Sequence, residues 1–165
     1  MTTDEAVEAE TPPPAVREAL ASIEGRWTIR GMETSFTEVC ELFPGGHHLV
    51  CYANSQSGER VSRHMSIITW SASEGCFLYF GVGSSGSVKR YRGAFDGGLW
   101  SFTGSATIEG KAASVRISTT PERDGFRFLE EYSFDGVAWL TEAEVEYVRL
   151  ADEASAGNEV AKGRD

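Results

Sequence analysis

The stretch FRFLEEYSFDGVAWLTEAEVEYVR, residues 126–149, decides the fold, because its side chains alternate in character on both sides of a single turn. Alternation with period two predicts a β-strand whose two faces meet different surroundings. The turn is Asp135-Gly136, a pair that favours a tight reversal of the chain. Residues 126–149 therefore predict two antiparallel strands joined as a hairpin.

The alternation also assigns the two faces of this hairpin. In the first strand, the residues expected to point into the protein are Phe126, Phe128, Glu130, Tyr132 and Phe134. In the second strand, the inward face is expected to carry Trp139, Thr141, Ala143, Val145, Tyr147 and Arg149. The glutamates between them, Glu142, Glu144 and Glu146, are then expected to face water.

The same pattern extends back along the chain to Gly25. Turn signals that contain glycine recur at the spacing of consecutive hairpins, as at Gly45-Gly46, Ser57-Gly58, Glu74-Gly75, Asp96-Gly97, Glu109-Gly110 and Asp124-Gly125. Without helical crossovers, and with closure removing exposed edges, we predict an all-β, closed antiparallel up-and-down β-barrel of about 8–10 strands. By the same parity, the inward residues of earlier strands are Thr34, Phe36, Glu38, Cys40, Leu42, Trp100, Phe102, Val115 and Ile117. Residues 47–55 and 59–71 are apolar on both faces, so their facing stays open.

The ends of the chain differ from the strand region. Val16, Leu20 and Ile23 recur at helical spacing after a proline-rich start, which predicts a short N-terminal helix that ends at Gly25 and covers one barrel end. Residues 1–13 and 151–165 are poor in large apolar side chains, so we expect two disordered tails, the first of them acidic. The barrel domain is expected over residues 14–150.

Charge and hydropathy narrow the choice of partners. The net charge is -10, and Lys89, Arg90 and Arg92 form the only dense basic cluster, which argues against nucleic acid as a partner. No apolar run approaches the ~20 residues of a membrane span. The N-terminus is acidic, whereas a signal peptide begins with a positively charged region followed by an apolar one. We therefore expect no membrane partner and a cytoplasmic location.

The three cysteines are Cys40, Cys51 and Cys76. They are odd in number, lack C-x-x-C spacing and lie among apolar residues. We interpret them as reduced, buried thiols, with a disulfide or a metal site as the alternatives.

Two features at the ends of the barrel region resemble a known superfamily. Gly25-Arg26-Trp27 and Arg149 look like the G-x-W and partnering arginine of lipocalins and their calycin relatives. Residues 25–150 also resemble small bacterial single-barrel proteins of that superfamily, including the Asp135-Gly136 turn before the final strand. The resemblance implies a barrel with a ligand cavity, whose floor is closed by an indole under a guanidinium.

Neither a cofactor nor a metal is expected. Gly81-x-Gly83-x-x-Gly86 matches the dinucleotide fingerprint literally, but a strand follows it where a helix is needed, so it reads as a hairpin turn. His47 and His48 are successive strand residues that point to opposite faces, which leaves too few ligands for a metal site. No histidine after His64 is available as a haem ligand in the late strands.

Glu130 is the main catalytic candidate, because a carboxylate between Phe128 and Tyr132 should have a raised pKa and serve as an acid or base. The alternative is a structural ion pair with an inward arginine, such as Arg63 or Arg92. The other catalytic candidates are Tyr132, His64 and Glu38. The expected ligand-binding residues are Tyr91, Trp100, Phe102, Phe126, Phe128, Trp139, His48 and Tyr52.

Two functions fit this reading. The first is a cofactor-independent cyclase or isomerase of secondary-metabolite biosynthesis, acting on a polyketide-like or terpenoid-like substrate. The second is an intracellular carrier or sensor of a small hydrophobic molecule. Both have a small, largely apolar organic molecule as the partner, and the sequence is also compatible with a homodimer.

Overall fold

A computed structural model of the protein describes residues 11–151. Ten strands form a closed antiparallel barrel in which each strand pairs with its sequence neighbour and the first pairs with the last. The elements are α1 (Pro14–Ile23), β1 (Gly25–Ile29), β2 (Phe36–Leu42), β3 (His48–Ser57), β4 (Arg60–Ser71), β5 (Cys76–Gly83), β6 (Val88–Asp96), β7 (Leu99–Ile108), β8 (Lys111–Glu122), β9 (Gly125–Ser133) and β10 (Leu140–Arg149). The predicted fold class is confirmed. Of the predicted tails, residues 1–10 and 152–165 lie outside the described part of the chain.

Helix α1 closes one end of the barrel. Its buried residues Val16, Ala19 and Leu20 follow the three- and four-residue spacing of one helix face. They pack into the core that also contains Trp27 and Trp100. Within residues 11–151, no helix is long and apolar enough to cross a membrane.

Trp27 and Arg149 meet at the same end of the barrel. The Arg149 guanidinium lies 4.2 Å from the centre of the Trp27 ring, and its Nη1 donates a 2.8 Å hydrogen bond to the Glu24 carbonyl. Gly25 has φ +131°, and a Cβ there would lie 2.1 Å from Arg149 Nη1. Glycine at this position therefore provides both the backbone conformation and the room for the guanidinium.

Most of the inward faces predicted from alternation are confirmed. Residues of β2, β7, β8 and β9 that line the interior as expected include Phe36, Glu38, Cys40, Trp100, Phe102, Ile117, Phe126, Phe128 and Glu130. The two strands whose facing was open are also resolved. β3 presents Leu49, Cys51 and Ala53 inward, and β4 presents His64, Ser66 and Ile68.

Strand β10 is irregular near its start. Thr141 pairs with Glu131, whereas Ala143 pairs with Glu130, so Glu142 is an extra residue in the ladder. Such a β-bulge inverts the alternation on one side of it. The predicted faces of β10 therefore hold from Ala143 onward and are wrong before it, because sequence alternation alone does not reveal a bulge.

The prediction of three reduced thiols is wrong for two of the cysteines. Cys40 on β2 lies directly opposite Cys51 on β3, with 4.0 Å between their Cα atoms, and the two form a disulfide. Cys76 is free. Only the pairing of the strands brings Cys40 and Cys51 together, since they are 11 residues apart in sequence. Disulfides persist mainly in oxidising compartments, and the cytoplasmic location stays a prediction.

Candidate functional site

The barrel interior contains a cavity of about 290 Å³, which we call the inner cavity. Its wall is mainly apolar and includes Phe36, Ile68, Trp100, Phe102, Ile117, Phe126 and Phe128. Its polar lining consists of Glu38, His64, Ser66, Tyr79, Lys89, Thr119, Glu130 and Tyr147. An apolar wall with a few polar groups is typical of a small-molecule site.

The apolar wall is held by ring stacking. Trp100 stacks on Phe102 with 5.5 Å between ring centres, and Phe126 stacks on Tyr147 at 4.8 Å. Gly93 and Gly104 do not leave open space beside these rings. A Cβ at Gly93 would lie 2.3 Å from the Phe102 ring, and one at Gly104 would lie 2.2 Å from the Tyr91 ring. These glycines make room for neighbouring aromatic side chains rather than for a ligand.

Glu38 is the carboxyl group most perturbed by burial in the inner cavity. Burial raises its pKa from 4.5 to about 7, because the ionised form loses water, and a hydrogen bond with Tyr147 opposes this only in part. Burial also holds the pKa of Tyr147 well above 10. Glu38 therefore changes protonation state near neutral pH beside a phenol that stays protonated.

A second polar group comprises His64, Tyr79 and Ser66. His64 Nε2 and the Tyr79 hydroxyl lie 2.9 Å apart, and Ser66 hydrogen-bonds to the same hydroxyl. Burial lowers the pKa of His64, and the Lys89 charge adds to that effect while Glu130 opposes it. The imidazole is therefore neutral at pH 7, and the pair offers a hydrogen bond to an uncharged polar group.

Glu130 forms an ion pair with Lys89. Lys89 Nζ lies 2.9 Å from Oε1 and 3.3 Å from Oε2 of Glu130. The alternative of a paired carboxylate thus holds, but the partners suggested for it are wrong. Arg92 points outward and binds Glu74 at 2.9 Å, and Arg63 is exposed.

A second cavity of about 450 Å³ lies at the end of the barrel opposite α1, and we call it the mouth cavity. It shares Lys89 and Glu130 with the inner cavity, so the ion pair borders both spaces. The candidates Tyr132 and Tyr91 line the mouth cavity and not the inner one. Burial raises the pKa of Tyr91 to about 12. Glu142, expected to face water, also lines this space because of the bulge.

Three residues expected in the ligand site lie outside both cavities. His48 and Tyr52 project from β3 opposite to its inward residues, and Tyr52 is 53% exposed. The ring centre of Trp139 lies 4.2 Å from Cζ of Arg116, whose guanidinium points outward. The placement of His48 and Tyr52 follows from the register of β3, and that of Trp139 follows from the bulge in β10.

The sequence does not single out five polar residues of the inner cavity as site residues: Ser66, Tyr79, Lys89, Thr119 and Tyr147. Alternation places Tyr147 on the inward face but assigns it no role. Lys89 belongs to a basic cluster in the sequence, and it also shares the parity of the buried Tyr91 on β6. That shared parity was the signal that could have found it.

Glu38, Cys40 and Cys51 form the one cluster within residues 11–151 whose side chains could converge on a metal ion, with ligand atoms within 4.8 Å of one another. In the disulfide form the two sulfurs are bonded to each other and are not the thiolates that metals bind.

Comparison with known proteins finds no matching family model and no matching curated protein. The function therefore has to be inferred from the site.

Proposed function

We propose that the inner cavity binds one small, largely apolar organic molecule that carries a carbonyl or hydroxyl group. The observation that carries this proposal is the cavity of about 290 Å³ itself, with aromatic walls and polar groups at few positions. The closed barrel together with the Trp27 and Arg149 floor also supports a lipocalin-like relationship.

The charges around the cavity favour an uncharged ligand. Lys89 is already neutralised by Glu130, and His64 is neutral at pH 7. Tyr79 and Tyr147 stay protonated because burial raises the pKa of each phenol. These groups offer hydrogen bonds and carry no net charge, and the protonated form of Glu38 completes a lining that suits an uncharged ligand.

Ala53 provides the direct test, because it lines the inner cavity between Glu38 and His64 in the strand register. Ala53→Phe should fill this space and weaken binding of 1-aminoanthracene, an uncharged apolar dye, by about tenfold or more. Dye fluorescence measures the affinity. Native mass spectrometry of the purified protein shows whether Ala53→Phe also removes a co-purifying small molecule.

The matched control is Asn54→Phe, which adds the same ring one residue along β3 on the exposed face. It should leave dye affinity within about twofold of the original protein. Equal loss in both variants, or no binding to the original protein, would contradict the proposal.

Acid–base catalysis is the second candidate function, and the protonation of Glu38 favours it. A general acid or base works best when its pKa lies near the working pH, and that of Glu38 is about 7. Glu38 would take a proton from a carbon next to a carbonyl, which leaves an enolate, and return it at another carbon, so that a double bond migrates and the net reaction is an isomerisation. If the enolate carbon instead attacks a second carbonyl carbon of the same molecule, a C–C bond forms, the C=O π bond opens and the proton returns to the resulting alkoxide oxygen, so that the net reaction is a cyclisation. The His64 and Tyr79 pair would donate a hydrogen bond to the carbonyl oxygen, since the single O–H of Tyr147 is donated to Glu38.

A turnover measurement separates the enzyme from the carrier or sensor. If the molecule recovered from the barrel is a substrate, Glu38→Gln should lower its turnover by about 10²-fold or more while binding persists. Glu130→Gln is the comparison, since a loss of that size there alone would return the catalytic role to Glu130. Binding without turnover in the original protein would leave only the carrier or sensor.

A further inference from the structure

The outer face of β2–β6 carries two adjacent rows of apolar side chains, which we call the apolar face. The strand register places the first row side by side, one residue on each strand: Val39, Tyr52, Met65, Val82 and Val88. The second row contains Val50, Ile67 and Phe80 on β3, β4 and β5. Exposure reaches 42% at Val82 and 79% at Val88, so this face presents apolar surface to solvent.

The outer face of β8–β10 differs in character. It carries paired charges, with Arg116 Nε 2.6 Å from Glu131 and Arg127 3.6 Å from Glu144. A contiguous apolar face on one side of a protein and a charged face on the other is typical of an interaction surface on the apolar side.

The second apolar row ends in opposite charges. Glu41 on β2 lies next to Val50, and Arg90 on β6 lies next to Phe80. Both end residues are exposed. Arg90 is near Glu74, at 3.8 Å, but Glu74 is bound more closely by Arg92 at 2.9 Å.

We propose that the apolar face binds a second copy of this chain through a two-fold axis that runs along β4. This axis exchanges β3 with β5 and β2 with β6, so a self-complementary contact results. Met65 and Ile67 of β4 then face their own counterparts, and Tyr52 faces Val82 of the other copy. At the rim of the contact, formed by β2 and β6, Glu41 of each copy faces Arg90 of the other copy.

The opposite charges at the two ends of the second apolar row are the reason that a second copy fits this face. Each chain has a net charge of -10, so copies repel one another across most orientations. The two-fold arrangement along β4 instead places the apolar rows together and aligns Glu41 with Arg90, and the like charges that meet are those of the exposed Arg63 at the end of the contact. Aligned opposite charges at the rim select this orientation, while the central apolar residues supply the burial.

Sedimentation of the full chain tests the proposal. A dimer is expected at about 100 µM, where even interfaces of modest size assemble. Val82→Glu should weaken that dimer by about tenfold or more, because it buries an unpaired carboxylate against Tyr52 of the other copy. The control, Val137→Glu, changes a residue that is 83% exposed outside this face and should leave the dimer unchanged. A monomer at all concentrations, or equal effects of the two substitutions, would overturn the proposal.

A charge exchange and a cross-link test the orientation. Arg90→Glu should weaken the dimer, and adding Glu41→Arg should restore it, since the rim pairs are then re-formed with reversed signs. In a Cys76→Ser background, Met65→Cys should give a covalent dimer on mild oxidation, whereas Val137→Cys should not. A dimer that shows neither the rescue nor the Met65→Cys cross-link would refute the two-fold axis along β4.

Discussion

Glu38→Gln is expected to remove a pH-dependent loss of stability worth about 3 kcal/mol, the free energy of a 2.5-unit difference in pKa. The pKa of Glu38 is raised in the folded barrel from 4.5 to about 7. Between these values the folded state binds more protons than the unfolded state, so stability falls as pH rises through this window. Below pH 4.5 the carboxyl is protonated in both states and costs nothing. Glutamine has no such titration and can still accept the hydrogen bond of Tyr147.

Urea unfolding at pH 5 and pH 8.5 measures the effect. The stability of the variant relative to the original protein should rise by about 2.5 kcal/mol between these two pH values, because part of the effect is already present at pH 5 and the other titrating groups are shared and cancel. The control is Glu41→Gln, which changes an exposed glutamate three residues along β2 and should show no such trend. A difference that stays constant with pH would show that Glu38 is not buried in the way described.

Trp100→Ala should destabilise the protein by about 3–5 kcal/mol, the range for removing a large buried aromatic ring. Trp100 is 2% exposed, and its ring stacks on Phe102 and meets Phe77 edge-on at 4.8 Å. Its Nε1 also donates a 3.2 Å hydrogen bond to Ser22 Oγ of α1, so the substitution loosens the helix from the barrel end. Trp100→Phe, which keeps a ring and loses the N–H, should cost clearly less.

Trp139→Ala is the matched control for Trp100→Ala. Both residues were expected to line the ligand site, but Trp139 lies on the outer face against Arg116. Its removal should cost about 1 kcal/mol or less. Chemical denaturation of both variants gives the comparison, and a large loss for Trp139→Ala would contradict the placement of that ring.

The final hairpin shows how far alternation could predict the fold. The faces of β9 were correct, because a strand with one buried face has to repeat every second residue. The faces of β10 were correct only from Ala143 onward, because a bulge adds one residue without changing the local pattern. The candidate site was also predicted only in part. Alternation placed Glu38 and Glu130 inward, but it did not identify Tyr147 as the partner of Glu38 or Lys89 as the partner of Glu130.

The sequence by itself determined the class of fold: strand periods, glycine turns and a short amphipathic helix are local properties that neighbouring residues set. Alternation also placed Glu38 and Glu130 inward, whereas the floor of Trp27 and Arg149 was implied only by the resemblance of Gly25-Arg26-Trp27 and Arg149 to a known motif. Only the tertiary structure decided that Cys40 meets Cys51, that Lys89 neutralises Glu130, and that burial moves the pKa of Glu38 to about 7. These depend on the register between strands and on the loss of water inside the closed barrel, neither of which any single stretch of sequence contains.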